Sequence, residues 1–124
     1  MSILRLPRKR NPLKILVLTP LMRELNGKTR LFSRSLASHY ALDWQWQLDH
    51  YQINGGDDYR SPSDTVTRKY QEAQKVFLAG SWDAMLCLEH DNIVPRDALT
   101  KLTALDCDIA YGLYVLRHGQ KVWS

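Results

Sequence analysis

The 124-residue chain has few cysteines and no long apolar run, and each absence excludes a class of protein. Its two cysteines, Cys87 and Cys107, are too few for a disulfide framework, and each lies in or beside an apolar segment, where a reduced thiol is usual. Its apolar runs, such as Ile15–Leu18, are far shorter than the roughly 20 residues of a membrane span. No apolar stretch follows the basic start, as a secretion signal requires. We therefore expect a cytoplasmic protein without a transmembrane segment.

The positive charge is concentrated at one end of the chain. The formal net charge is +4, from 17 Lys and Arg against 13 Asp and Glu. Five of the basic residues and none of the acidic ones lie within residues 1–14, so residues 15–124 carry 12 basic against 13 acidic side chains. We expect residues 1–12 to be a basic flexible lead-in and residues 13–124 to be one domain. The near-neutral body argues against nucleic acid as a partner.

Hydrophobic periodicity predicts an alternation of strands and helices. In chain order the predicted elements are a strand at 13–19, a helix at 27–40, a strand at 41–49, a loop at 51–60, a helix at 61–80, a strand at 84–88, a short helix from Asp97 and a strand at 108–116. Such alternation is typical of an α/β domain with three layers, α/β/α. Helices then cover both faces of a mostly parallel sheet of about four strands.

Individual residues of the helices carry further predictions. The first helix should bury Phe32, Leu36 and Tyr40, which recur every four residues. Tyr70, in the helix at 61–80, lies on an apolar face and is expected in the core. Asp97 should cap the last helix.

The sharpest local feature is an acidic pair, Glu89 and Asp91, that directly follows the third apolar run. In an extended segment, residues two apart point the same way, so both carboxylates can meet one hard cation while His90 points away. Ligands of parallel sheets bind at the carboxyl ends of the strands. A Mg²⁺ or Mn²⁺ ion held there would complete its coordination with substrate phosphates. The alternative is a buried strand that emerges into solvent through polar residues.

The segment Leu86–Leu99, LCLEHDNIVPRDAL, resembles the strand, acidic motif, proline and short helix of GT-A fold glycosyltransferases, particularly the family-2 nucleotide-sugar enzymes. Their usual motif is Asp-x-Asp, and Glu89 stands at its first acid. Lys14–Pro20, KILVLTP, is similar to the first strand of that family and its proline, and Cys107–Tyr114, CDIAYGLY, is similar to its next core strand. The resemblance extends over residues 13–118.

The resemblance implies the Rossmann-like half of a nucleotide-diphospho-sugar transferase. The activity would be metal-dependent and hexosyltransferase-like, with a nucleoside-diphosphate sugar as donor and an unknown acceptor. Asp91 would bind Mn²⁺ or Mg²⁺ on the diphosphate, and Glu89 would contact the metal shell or the ribose and sugar of the donor. The resemblance further implies nucleotide-pocket residues at the ends of the first two strands: Thr19, Pro20, Arg23 and Asp49.

Arg68 and Lys69, in the first turns of their helix, are placed near the side where a diphosphate could lie, although a solvated helix face is equally expected there. No residue is identified as the general base, which in the resembled family comes from a later segment. Three alternatives follow: a truncated donor-binding half that a C-terminal acceptor segment would complete, a domain whose remainder is supplied elsewhere, or a domain that is not an active transferase. Two other functions remain open: a non-catalytic adaptor whose basic tail contacts nucleic acid or an anionic membrane, and a nucleotidyltransferase on a similar fold.

Overall fold

The computed structural model describes residues 2–5, 12–21, 33–53, 62–112, 114–115 and 122–123. Within them the elements are β1 (Ser2–Arg5), β2 (Ile15–Pro20), α1 (Ser33–Tyr40), β3 (Leu48–Ile53), α2 (Pro62–Ala79), β4 (Ala84–Cys87), α3 (Ala98–Ala104), β5 (Ile109–Tyr111), β6 (Tyr114–Val115) and β7 (Val122–Trp123). Strands and helices alternate from β2 to β5, as predicted. None of the helices in these ranges has both the length and the apolar character needed to cross a membrane.

Five strands form one sheet in the order β3-β2-β4-β1-β5. The pairs β3-β2 and β2-β4 are parallel, so three neighbouring strands share one direction. β1 runs antiparallel to β4 and to β5, so β5 has the direction of β4 without pairing with it. β6 and β7 form a separate antiparallel pair. The fold class is therefore α/β, with five strands in the main sheet instead of about four.

β1 lies within the segment that the sequence predicts to be a flexible lead-in. All of Ser2–Arg5 pairs with β4, and most of it also pairs with β5. The edge of β4 presents backbone N–H and C=O groups that need partners, and a short extended segment supplies them. Ser2 is opposite both Cys87 and Tyr111. Local periodicity carries no signal for pairs so far apart in the chain, so the predicted lead-in is corrected at these residues.

The second predicted strand is displaced along the chain. Alternation predicts a strand at 41–49 and a loop from residue 51, whereas β3 begins at Leu48 and ends at Ile53. Side chains before β3 make individual contacts with the rest of the fold. Leu42 is buried, and the indole N–H of Trp44 donates to the carbonyl oxygen of Leu13 at 3.0 Å. The period of two in this segment therefore reflects side-chain packing in irregular backbone.

All six residues of β2 are buried. Ile15 and Val17 belong to a first core with residues of β4 and α3, while Leu16 and Leu18 belong to a second core with Ala73 and Phe77 of α2. Successive side chains of a strand point to opposite faces, so α3 and α2 cover opposite faces of the sheet. This arrangement agrees with the three predicted layers.

The ends of two helices differ in how well the sequence predicts them. α2 ends before Gly80, as predicted, and the ring of Trp82 occupies the space that a Cβ at Gly80 would need. At α3, Asp97 is the N-cap residue but makes no side-chain capping hydrogen bond. Its carboxylate instead lies 3.1 Å from the ammonium of Lys101, one turn later. The predicted N-cap position of Asp97 is therefore confirmed, whereas its side chain does not form the capping hydrogen bond.

α1 corrects the predicted inward face of the first helix. Residues 22–32, including Phe32, lie outside the described residues, and α1 begins at Ser33. Its buried residues are Ser35 and His39, whereas Tyr40 is 59% exposed. The spacing of apolar residues therefore predicts the wrong side of α1 as the buried side.

Replacing Leu86 with Ala should lower the free energy of unfolding by about 2–5 kcal/mol, since this leucine of β4 is completely buried in the first core. Leu78→Ala is the matched control, because Leu78 is 61% exposed on α2 and should change stability by less than about 0.5 kcal/mol. Urea denaturation followed by circular dichroism measures both values. Equal losses in the two variants would contradict the assigned burial.

Candidate functional site

A cleft of about 170 Å³ opens at the carboxyl ends of β2 and β4. Its lining comes from the end of β2, the first half of α2 and the residues that follow β4: Pro20, Val66, Tyr70, Glu89, His90 and Asp91. This is the edge of a parallel sheet at which ligands bind. The structure thus brings together three of the predicted site residues, Pro20, Glu89 and Asp91, in one cleft.

Glu89–Asn92 forms a hydrogen-bonded turn, which we call the acidic turn. The backbone N–H of Asn92 donates to the carbonyl oxygen of Glu89 at 3.2 Å. The two carboxylates therefore reach the cleft through a turn and not through the pleat of an extended strand. Because the backbone turns here, His90 lines the same cleft as Glu89 and Asp91, and the prediction that it points away is corrected.

The carboxylates of the cleft suit a hard divalent cation that arrives together with its ligand. Glu89 is exposed and Asp91 is half-buried. Within the described residues, no group of three or more His, Cys, Asp or Glu is arranged to hold a metal ion. Mg²⁺ and related ions are commonly held by one or two carboxylates plus substrate phosphates and water, so a pair of acids is sufficient for that kind of site.

Thr19 does not line the cleft. Thr19 is the residue before Pro20 in β2 and is 3% exposed. Neighbouring side chains of a strand point to opposite faces, so Thr19 is directed away from the face that Pro20 presents to the cleft. Arg23 lies outside the described residues.

Asp49 lies at the opposite edge of the sheet. It is the second residue of β3 and is opposite Leu16, near the start of β2. Its carboxylate accepts hydrogen bonds from Gln47 Nε2 and from Trp82 Nε1, each at 2.7 Å, and these bonds lower the pKa of Asp49 below its usual value. The structure therefore separates Asp49 from the cleft, because β3 begins later in the chain than the sequence predicts.

α2 places the two predicted basic residues on different sides. Two residues of a helix correspond to about 200° of rotation, so Arg68 lies opposite Val66 and Tyr70, which line the cleft. Arg68 is exposed and is not brought to the cleft. Lys69, by contrast, is only 1% exposed. Tyr70 is half-buried and contributes to the cleft wall, which corrects its predicted place in the core.

Lys69 belongs to a buried stripe that changes character along α2. The stripe is polar at Thr65 and Lys69 and apolar at Ala73 and Phe77. Because α2 connects two strands of the same direction, it runs against them, and its first half lies toward the carboxyl edge. Lys69 is about 12 Å nearer that edge than Phe77. A fully buried lysine is unusual. The four-residue spacing of Thr65, Lys69, Ala73 and Phe77 could have revealed that Lys69 faces inward.

Two histidines lie beside the acidic turn and at β3. His39 Nε2 lies 2.8 Å from the carbonyl oxygen of Asn92, and burial lowers the pKa of His39. His50 stacks on Tyr40, with 4.2 Å between the ring centroids. Burial lowers the pKa of His50, with a smaller contribution from the charge of His39, while the Asp49 carboxylate acts against both. Both imidazoles are therefore favoured in the neutral form.

Comparisons with known proteins find no match to this chain. No family model, no curated protein and no solved structure that was compared with the chain matches it. The site is therefore interpreted from its geometry and from the chemistry of its residues.

The lowered pKa values of His39 and His50 should make the protein less stable in mild acid. The unfolded chain takes up protons below about pH 6.5, before the folded chain does, so the free energy of unfolding should fall between pH 7 and pH 5. His39→Gln keeps an N–H donor and removes one titration, so its stability should fall less over the same interval. Urea denaturation at both pH values measures the difference. The same fall in the variant and in the natural chain would count against this account.

Proposed function

We propose that the domain binds a nucleoside-diphosphate sugar together with Mn²⁺ or Mg²⁺ and supports transfer of the sugar to an acceptor, as a GT-A-like glycosyltransferase domain. The observation that carries the proposal is the cleft in which Pro20, Glu89 and Asp91 lie together. This cleft lies at the carboxyl edge of a parallel sheet, where such ligands bind.

Glu89 and Asp91 are the residues that would hold the cation. Carboxylate oxygens are its preferred protein ligands, and the open side of the cleft at Glu89 leaves room for phosphate oxygens to complete the coordination. When bound, the cation would offset negative charge on the departing diphosphate. Asp91, half-buried, is the better shielded of the two carboxylates, and we assign it the direct contact.

The size of the cleft limits what the described residues hold. Small-molecule sites commonly measure about 300–1,000 Å³, and this cleft has about 170 Å³. We therefore assign it to the cation and the adjoining diphosphate. Lys69 is buried on the segment of α2 whose Val66 and Tyr70 form one wall of the cleft. Tyr70 offers a ring edge or face to the neighbouring part of the ligand.

Sugar transfer needs one group that we do not assign. The bond between the anomeric carbon and the diphosphate oxygen breaks, a bond to the acceptor oxygen forms, and a base takes the acceptor proton. The chain's proposed contribution is to bind and orient the donor. A reducing compartment such as the cytoplasm suits this domain, because Cys87 and Cys107 are free thiols.

Asp91→Asn should weaken the binding of UDP in the presence of Mn²⁺ by at least about tenfold, since it removes a charged ligand of the cation. Asp97→Asn is the matched control, because Asp97 is an exposed carboxylate that pairs with Lys101 on α3. Isothermal titration calorimetry with UDP, GDP and their sugar conjugates, with and without Mn²⁺, measures the affinities and the preferred base.

Three results would overturn the proposal. The first is the absence of Mn²⁺-dependent binding to every nucleotide of the panel. The second is binding that Asp91→Asn and Asp97→Asn reduce equally. The third is strong binding to RNA or to anionic vesicles with a steep salt dependence, which would favour the adaptor function. Release of pyrophosphate from a nucleoside triphosphate and a sugar 1-phosphate, with no release of nucleoside diphosphate from a nucleotide sugar, would indicate a nucleotidyltransferase.

A further inference from the structure

The buried side of α1 is polar. Ser35 and His39 are its buried residues, at 3% and 1% exposure, while Leu36 is only half-buried. A helix that packs on a sheet normally buries an apolar stripe. Buried polar groups cost free energy unless they form hydrogen bonds, so this helix must make specific contacts in return.

Those contacts are hydrogen bonds to the backbone just after Asp91. His39 Nε2 donates to the carbonyl oxygen of Asn92 at 2.8 Å, because a carbonyl can only accept. The N–H of Val94 donates to Ser38 Oγ at 3.1 Å, and the Ser38 hydroxyl donates in turn to the carbonyl oxygen of Ser35 at 2.7 Å. We call Ser38 and His39 the α1 clamp.

The clamp holds one end of the acidic turn while the sheet holds the other. Before the turn, the N–H of Leu88 donates to the carbonyl oxygen of Leu18 at 3.0 Å. After it, Val94 is buried in the first core, whereas Ile93 is 62% exposed. The turn itself has one internal backbone hydrogen bond, between Asn92 and Glu89. The position of the carboxylates therefore depends on contacts from outside the turn.

We infer that Ser38 and His39 are positioning residues that hold the acidic turn in the geometry with which Glu89 and Asp91 bind a cation and its diphosphate. This inference rests on the proposed function. Supporting residues that fix the orientation of ligands raise affinity, because the ordering is complete before the ligand arrives. Without the clamp, the residues from Asp91 to Val94 lose two long-range hydrogen bonds, and binding has to order them.

The protonation state of His39 agrees with this role. Its Nε2 carries the proton that it donates to Asn92, and its Nδ1 is buried with no hydrogen-bond partner in the described part of the chain. A second proton at Nδ1 would be buried without an acceptor there. The neutral form with its proton on Nε2 therefore supplies the donor of the clamp and leaves no N–H at Nδ1 without an acceptor.

The test compares variants that break the clamp with variants that keep its hydrogen bonds. Ser38→Ala removes the acceptor for Val94 and His39→Leu removes the donor for Asn92, whereas Ser38→Thr and His39→Gln retain them. Trp82→Phe is the control, since it removes one side-chain hydrogen bond, to Asp49, at the opposite edge of the sheet. Amide hydrogen exchange at Val94 reports the clamp, and calorimetry with Mn²⁺ and UDP reports the site.

Ser38→Ala and His39→Leu should weaken the binding of UDP with Mn²⁺ by about tenfold or more, and Ser38→Ala should speed exchange at Val94. Ser38→Thr, His39→Gln and Trp82→Phe should leave affinity within about threefold of the natural chain.

Unchanged amide exchange at Val94 in Ser38→Ala would overturn the clamp, whatever the result of the binding measurement. Faster exchange with unaltered affinity, or an equal loss of affinity in Trp82→Phe, would overturn its positioning role. A natural chain with a protected Val94 amide but no binding of UDP with Mn²⁺ would overturn the proposed function and leave the clamp established as a structural contact.

Discussion

The burial of β2 on both faces is the constraint on which the rest of the structure depends. Its six residues are all buried, and they contribute alternately to two cores that different helices complete. A strand with no exposed face must pair on both edges, and β2 does so with β3 and β4 in parallel. Parallel pairing places the ends of β2 and β4 at the same edge. Pro20 and the acidic turn therefore meet, although they are far apart in the chain.

The parts of the fold that local patterns determine were predicted from the sequence. β2 and β4 are short apolar runs whose burial requires the middle of a sheet, and α2 combines helical spacing with a terminal glycine. The same logic located the acidic pair at a strand end. Pro20 was added by the family resemblance, and the parallel direction of β2 and β4 places it in one cleft with Glu89 and Asp91.

The parts that depend on long-range contacts were not predicted. β1 is defined by partners in β4 and β5, and the start of β3 is fixed by where Trp44 packs, neither of which periodicity records. Because the strand was predicted at 41–49, Asp49 was expected at its carboxyl end, whereas it lies near the start of β3. In α1, hydrogen bonds to the segment after the acidic turn outweigh the apolar spacing, so polar side chains are buried. In α2, the prediction treated Arg68 and Lys69 alike, although Lys69 shares the four-residue spacing of the buried Ala73 and Phe77 and Arg68 does not.

The buried polar side chains show where folding includes an unfavourable desolvation free energy. In the described part of the chain they are Thr19, Ser35, His39, Thr65 and Lys69. Thr19 is the penultimate residue of β2, and the others lie on α1 and on the first half of α2. By contrast, polar contacts such as that of Asp49 with Trp82 are only partly buried. Packing alone gives no reason for this difference, since polar groups are cheaper to keep in water. Local rules of folding are broken mainly at functional sites, and the buried polar side chains of α1 and α2 are such departures.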